Sequence, residues 1–510
     1  MSIFREGKRN EPFLLPHSID DFVPDDHLAR MIDEVVERLD VRKIERNFSP
    51  IGRRAYAPKM LLKVLIYGFA TRERSSRKLA HRCETDLAYM FLCGMETPDF
   101  RTISDFRKKY LEEIKKYFRD ITLLCLGMGL GRGKVVFIDG TKIHANASAK
   151  KSKKKEKLDQ IIRELDQAIA GALREAEEAD AAEDAQYGDS RGDELPPGLR
   201  KSSERRRRLE ETKRRLEAEG WKKINLTDPD ARLMQERHGV IRPAYNCQAA
   251  VTGDGLIVAQ DCVMDAVDKG QLKPMVEAAR ELLPELTQVV ADAGYGTYEA
   301  LGYLKEQELD GYVRDFSGDI RRFLKGDPEK LRYHWLNFTY DAGRDCFICP
   351  EGKELTLYGQ RRFRGWEHVT YKGTACAQCG VRGKCTKRKE RKLALDLRWP
   401  LILEMLEKFK SKEGWELYKK RMGTVEPPFG NLKQNLGFTQ FLLRGLKKVG
   451  GEYSLMCIGH NLGKLFGALR SQAERTGKGF RELLGEAVER MNGNLGEAGG
   501  FGRVFVIQAA

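Results

Sequence analysis

Over residues 1–130 the apolar positions recur at helical spacing, and few Gly or Pro residues interrupt the segments. Asp25-Asp26 stands before HLARMIDEVVERL and suits the N-cap of an amphipathic helix. Pro58 opens a second helix, KMLLKVLIYGFA, since proline is tolerated in a first turn. Ser75–Cys83 (SSRKLAHRC) reads as a short basic helix. Thr97-Pro98 breaks the chain, and Thr102 is placed to cap FRKKYLEEIKKYF. Short helices with tight turns and basic faces suit a helix-turn-helix-like DNA reader. A plain helical bundle with solvated charges fits the same pattern.

The period changes at Lys134. Val135, Val136, Phe137 and Ile138 are β-branched or aromatic, the mark of a short strand buried on both faces. The run predicts a strand ending on a carboxylate, Asp139, with Gly140 behind it. On this stretch alone a turn-forming Asp-Gly serves equally well. Lys150–Lys157 (KKSKKKEK) begins a charged insertion over 149–230, with Pro196-Pro197 between two expected helices and RRRR at 205–208. That composition suits a helical hairpin or a partly disordered arm, solvated or laid along DNA phosphates. From Tyr245, YNCQAAVTGDGLIVAQDCVMD gives two strands around Gly253-Asp254-Gly255, a hairpin signal. A helix over Leu272–Leu283 follows. A second apolar run, QVVADAGYGTY, predicts a strand ending on Asp292, with Gly294 and Gly296 close behind. Two acids at strand ends weaken the turn reading of Asp139.

Residues 300–400 look irregular, and 401–470 return to helical spacing. There Pro427-Pro428 predicts a helix start with Thr424 as N-cap, because prolines suit only a first turn. Glu426 then sits at a helix N-terminus, where the dipole favours its ionised form. Lys433 lies seven residues on, two turns away on the same face.

The chain has 510 residues, enough for roughly two to four domains, and carries a net charge of +15. That balance favours a polyanionic partner, nucleic acid before membrane. The first thirty residues hold no apolar signal-peptide core, and apolar runs such as Leu61–Ala70 and Ile121–Leu130 are far short of a membrane span. The expected setting is cytoplasmic and nucleoid-associated. Of eleven cysteines, five cluster: Cys346, Cys349, Cys376, Cys379 and Cys385. Paired CxxC spacing without an export signal suits a structural Zn²⁺ site of four thiolates that holds a loop-rich insertion together. Cys349, Cys376 and Cys379 are the firmest; Cys346 and Cys385 compete for the fourth place. Five free thiols is the plain alternative. Cys125, Cys247 and Cys457 lie in apolar segments and are expected in the core.

Asp139, Asp292 and Glu426 are the oxygen donors that hard cations prefer. Phosphodiester cleavage needs an activated nucleophile, in-line geometry and neutralised charge, which two Mg²⁺ ions about 3.5–4 Å apart supply. No phosphate-cradling GxxxxGK[ST] loop or nucleophile elbow competes with this reading.

In this order, with the strings FIDGTKIHANA, ADAGY, TVEPPFGNLK and FLLRGLKKVGGEYSLMCIGHNLGKL (441–465), the residues resemble the DDE transposases of bacterial insertion sequences over about residues 10–470. The paired cysteines resemble those of the subgroup with a Cys-rich insertion before the final Glu. The resemblance implies an α/β fold: an RNase H-like mixed-sheet catalytic core beside an all-α helix-turn-helix-like N-terminal domain and a Cys-rich zinc-binding insertion. The chain divides accordingly into a helical DNA-binding domain at 1–130, a core split over 131–148, 231–300 and 401–470, insertions at 149–230 and 301–400, and a tail at 471–510. The resemblance implies that Asp139, Asp292 and Glu426 bind two Mg²⁺ (or Mn²⁺) ions. The family's Tyr–Arg–Glu–Lys signature falls on Tyr418, Arg421, Glu426 and Lys433. Four residues, Met422–Val425, separate Arg421 from Glu426 where the family has three, and Lys420 is a second cation nearby. Lys433 would contact a phosphate near the cut end, with Tyr418 and Arg421 positioning DNA. Thr141, Lys142 and His144 are further DNA-contact candidates. The implied partners are double-stranded DNA, as terminal inverted repeats and target, and a second copy of the chain in a homodimer on that DNA. The alternatives are a catalytically silent relative acting as a DNA-binding regulator, and an RNase H-like nuclease without strand transfer.

Overall fold

In a computed structural model, the structure describes residues 17–48, 54–187, 197–236, 239–314, 327, 329, 331–363 and 365–497. Pro196 and the tail beyond residue 497 lie outside the described residues. The N-terminal part is helical, as expected. Its cap differs: Asp99, directly before Phe100, takes the Arg101 N–H at 2.8 Å and starts the helix Phe100–Lys109. Thr102 therefore lies inside that helix, and the chain breaks at Tyr110 before the longer helix Leu111–Gly127.

Strand β1 (Val135–His144) runs five residues past Asp139. The charged insertion follows as a helical hairpin, Lys155–Tyr187 and Pro197–Ala218, rising from a base where β2 (Ser152–Lys153) pairs with β3 (Ile224–Asn225). Leu158, Ile162, Leu209, Leu216 and Ile224 give the hairpin a small core of its own. Ion pairs of Lys155 with Glu217, Lys213 with Asp159 and Arg206 with Asp166 tie its two helices together.

The chain then supplies β4 (Arg232–Gln235), β5 (Ile241–Thr252), β6 (Ile257–Val263), β7 (Gln288–Ala291) and β8 (Asp310–Val313). With β1 they form a six-stranded sheet in the order β4-β5-β1-β7-β8, with β6 also on β5. The pairs β1–β5 and β5–β6 are antiparallel, whereas β1–β7 and β7–β8 are parallel. β8 lies inside the stretch 301–400, so the main sheet extends into the expected insertion. β5 is buried at ten successive positions from Pro243, which requires cover on both faces. Helices Leu272–Leu282, Lys412–Gly430 and Leu446–Thr476 pack on this sheet.

The helix Leu446–Thr476 joins the sheet to the N-terminal helices. A Cβ at Gly451 would meet the Leu111 side chain at 2.5 Å, so glycine permits the close approach. Its Glu452 is fully buried and accepts the Leu443 N–H at 2.9 Å and the Leu442 N–H at 3.0 Å, with the Arg74 guanidinium 3.4 Å away. This helix crosses residue 470, and the helix Phe480–Glu497 packs back on Leu111–Gly127. Residues 471–497 are thus part of the helical body rather than a tail.

The stretch that looked irregular forms a second, antiparallel sheet in the order β13-β12-β11-β10-β9. Its strands are β9 (Thr339–Asp341), β10 (Cys346–Ile348), β11 (Glu354–Phe363), β12 (Trp366–Gly373) and β13 (Lys392–Asp396). Phe338, Phe347, Leu355, Val369, Tyr371 and Trp399 are among the residues of its separate core. Among the described residues no helix is long and apolar enough to cross a membrane.

Candidate functional site

The parallel pairing of β1 with β7 stops at Ile138 opposite Ala291. The next residues on the two strands are Asp139 and Asp292, so the register sets two carboxylates side by side. β1 does not end there, as the sequence suggested, because antiparallel β5 stays paired with it as far as His144. Asp139 accepts its neighbour Gly140's N–H at 2.8 Å and the Arg421 Nη1–H at 2.9 Å. Its side chain is only 20 % exposed. Burial pushes the carboxyl up to about 6 against the pull of Arg421, with Asp292 and Asp268 adding to the rise. Asp292 caps the short 3-10 turn Ala293–Tyr295, accepting the Gly294 N–H at 2.7 Å.

A third acid, Asp268, joins them from the loop after β6. Asn246 Nδ2 and Gln248 Nε2 both donate to its Oδ1 at 2.8 Å. The buried Tyr295 hydroxyl donates to Gln248 Oε1, which fixes that amide with its nitrogen toward Asp268. The packing leaves no room for side chains beside it. A Cβ at Gly140 would lie 2.5 Å from Asp268 Oδ1, and one at Gly294 would lie 3.0 Å from both Asp268 Oδ2 and Asp292 Oδ1. Sequence reading missed Asp268 because MDAVDKG looks like an ordinary polar loop. The available signal was upstream: two amides, Asn246 and Gln248, two residues apart in an otherwise apolar buried strand.

Arg421 comes from the helix Lys412–Gly430, which Ser411 caps through the Gly414 N–H at 3.0 Å. This overturns the expected helix start at Thr424. The Thr424 hydroxyl instead donates to the Lys420 carbonyl at 2.8 Å, and Pro427 and Pro428 lie inside the helix near its end. Each proline forfeits one N–H bond there, and the chain continues as a π-helical turn, Asn431–Asn435. Glu426 is therefore not at a helix N-terminus, and Lys433 lies within the π turn, which breaks the simple two-turn spacing. Tyr418 is half-buried one turn before Arg421, against Phe409 at 5.1 Å between rings. Glu426 is exposed on the turn after Arg421, beside buried Val425. Asp139, Asp292, Asp268, Arg421 and Tyr418 thus converge, with Glu426 and Lys433 further along the same helical rod. Lys142 and His144 face elsewhere: Lys142 Nζ donates to the Gln235 carbonyl at 2.9 Å, and His144 pairs with Glu236. Thr141 lies opposite Cys247 on β5.

Among the described residues no group of three or more His, Cys, Asp or Glu side chains is arranged to hold a metal ion. Arg421 takes one oxygen of Asp139 instead. The cost of ionising Asp139 in this pocket has a measurable consequence. Its folded value, about 6, stands above the ordinary 3.8. Stability is therefore lost as pH rises between the two values, by up to about 3 kcal/mol at pH 8. Without metal, Asp139→Asn should melt higher than wild type at pH 8, and the gap should shrink as the pH falls toward 4. Thermal melts across that range check it; a gap that widens on acidification contradicts it.

In the second sheet, Cys349, Cys376, Cys379 and Cys385 line one small cavity of about 30 Å³. Cys346, buried on β10, does not line it. Cys349 Sγ accepts the Lys353 N–H and Cys376 Sγ the Arg391 N–H, each at 3.4 Å. Burial raises the Cys385 thiol, as do Cys376, Cys349 and Cys379 beside it, while Arg391 opposes. On the N-terminal helix Ser76–Thr85, Leu79 and Cys83 are buried while Arg77, Lys78, His81 and Arg82 are exposed.

Two family models match parts of the chain. Residues 348–466 match a Transposase DDE domain, and residues 17–109 match a Transposase domain (DUF772). The first match takes in the four cavity thiols and the helix bearing Arg421 and Glu426; Asp139, Asp268 and Asp292 lie outside both. No curated protein matches the chain. Both matched segments are similar to transposase domains, which supports a function in transposition. The two matches together indicate an insertion-sequence DDE transposase.

Proposed function

We propose that this transposase binds the terminal inverted repeats of its own element, cuts the ends and joins each 3′-hydroxyl to target DNA. The observation that carries the reading is the register that sets Asp139 beside Asp292, with Arg421 against them. The strand pattern supports an RNase H-like core: β6, β5 and β1 antiparallel, then β7 and β8 parallel to β1.

The donor set suits hard cations, because the converging acids offer only oxygen. Mg²⁺ or Mn²⁺ ions bound there would activate the nucleophile and stabilise charge on the transferring phosphate. Asp139 and Asp292 would hold them, with Glu426 completing the set from the helix. Arg421 gives Nη1 to Asp139, and the rest of its planar guanidinium would offer further N–H donors to an incoming phosphate. Tyr418 braces that arginine's helix, and Lys433 would meet the backbone beyond it. The exposed cations of Ser76–Thr85 suit inverted-repeat binding. Cys349, Cys376, Cys379 and Cys385 fit a structural Zn²⁺ in donor type and in sharing one cavity. Joining two element ends calls for two copies of the chain on DNA.

The test is mobility in cells. A plasmid carrying this frame, its flanking DNA and a marker should yield new insertions bordered by short target duplications, and the same plasmid with Asp292→Asn should yield none. Equal insertion from both overturns the reading.

A further inference from the structure

The charged hairpin stands on a small, fixed foot. There β2 pairs with β3, Ser152 opposite Asn225 and Lys153 opposite Ile224. Asn225 is only 1 % exposed, and both ends of its amide are used. Its Nδ2 donates to the Ser148 carbonyl at 2.8 Å and to Ser152 Oγ at 3.0 Å. Its Oδ1 accepts the Thr227 N–H at 2.9 Å and the Asp228 N–H at 3.2 Å. Trp221 packs on the hairpin core, and the Arg232 guanidinium of β4 lies 3.2 Å from its ring centre. The foot is thereby tied to the main sheet.

Six lysines crowd this foot: Lys150, Lys151, Lys153, Lys154, Lys222 and Lys223. Five are exposed and Lys153 is half-buried. Among the described residues none of the six has an ion-pair partner, because the acids of the region pair elsewhere. Glu217 pairs with Lys155 at 2.7 Å, Asp230 with Arg215 at 2.6 Å, and Asp159 with Lys213. Only Glu156 and Glu219 remain in the stretches 149–160 and 217–225 to set against the six. Like charges held close by a fixed backbone repel one another, and a polyanion relieves that repulsion.

The foot also follows directly from the strand that bears Asp139. Lys150 lies eleven residues past that acid, at most about 36 Å along an extended chain. That is about one turn of duplex DNA. A lysine ammonium answers a phosphate as a point charge, and phosphate contacts read no base. Such a surface suits DNA of unprescribed sequence, which distinguishes target DNA from the ends of the element.

We propose that this lysine foot grips the phosphate backbone of target DNA within about one turn of the point of joining. The proposal rests on the joining reaction given under the proposed function.

The test uses the full chain with Lys150→Gln, Lys151→Gln, Lys222→Gln and Lys223→Gln combined. Its affinity for a duplex of unrelated sequence is measured between about 50 and 200 mM salt. Each lost phosphate contact removes about 0.9 from the slope of log affinity against log salt, so the slope should fall by about 3 to 4. With Mg²⁺, joining of a pre-cut element end to that duplex should fall about tenfold or more. Cutting of a duplex that carries the element end should keep the wild-type rate. The same four positions changed to arginine should behave as wild type, since the charge is kept. An unchanged salt slope in the glutamine variant would overturn the inference. So would equal losses in the arginine variant, which would mark a structural role, or cutting that falls as far as joining. In each of these cases the proposed function stands. Wild-type protein that joins no pre-cut end to the duplex would overturn the proposed function and this inference together.

Discussion

Asp139→Asn and Asp292→Asn, each made alone, are expected to slow DNA cleavage by about a thousandfold or more, the rate equivalent of several kcal/mol of lost charge stabilisation. The two acids share one end of adjacent strands, and neither can stand in for the other. An asparagine keeps the shape of the site but offers a neutral carbonyl, a poor ligand for a hard cation. At Asp139 it also leaves Arg421 without its carboxylate partner. DNA binding should survive both changes, because the exposed cations of Ser76–Thr85 are remote in sequence and borne on another element. Gel-shift affinity within a few-fold of wild type, with cleavage lost, is the expected pair of results. Loss of binding and cleavage together would mean that the aspartates serve the fold.

The second large effect concerns the four thiols. Metal analysis of the purified chain should give about one zinc per protein, as a closed structural site requires. Cys385→Ser and Cys376→Ser should lose it, whereas Cys346→Ser should retain it, because Cys346 does not line the cavity. The second sheet has a modest core of its own. Zinc binding of the usual strength, about 10–16 kcal/mol in small peptides, would therefore dominate its stability. Chelation should expose residues 338–399 to protease while the main sheet stays folded. A chain that folds without zinc, or keeps it after Cys385→Ser, contradicts the assignment.

The parts of the site that could be read in the sequence are those fixed by local pattern. Val135–Ile138 and Val289–Ala291 are short buried runs, and each leads directly into its acid, so Asp139 and Asp292 stood out. The end of β1 did not, because it depends on β5, a partner about a hundred residues away. The tandem prolines misled for a physical reason. They usually begin a helix, but here the helix was already established from Ser411 and gives way to a π turn just after them. Asp268 was hidden because its support, Asn246 and Gln248, lies on another strand. The second sheet was hidden because β11 is exposed at successive positions from Thr356 to Arg362, which erases the two-residue alternation expected of a half-buried strand. Cys346 and Cys385 could not be separated by spacing, since only the folded chain shows that Cys385 lines the cavity with the other three thiols and Cys346 does not.

The central claim is that the Asp139–Asp292 pair cuts DNA at the ends of the element. It is tested most directly by mapping broken ends, with purified protein on linear DNA that carries the reading frame's flanks. The account predicts breaks with free 3′-hydroxyls at the two element boundaries, present with Mg²⁺ or Mn²⁺, absent with EDTA and absent with Asp139→Asn. Breaks of equal yield with Asp139→Asn, or none from wild type with either metal, would contradict it.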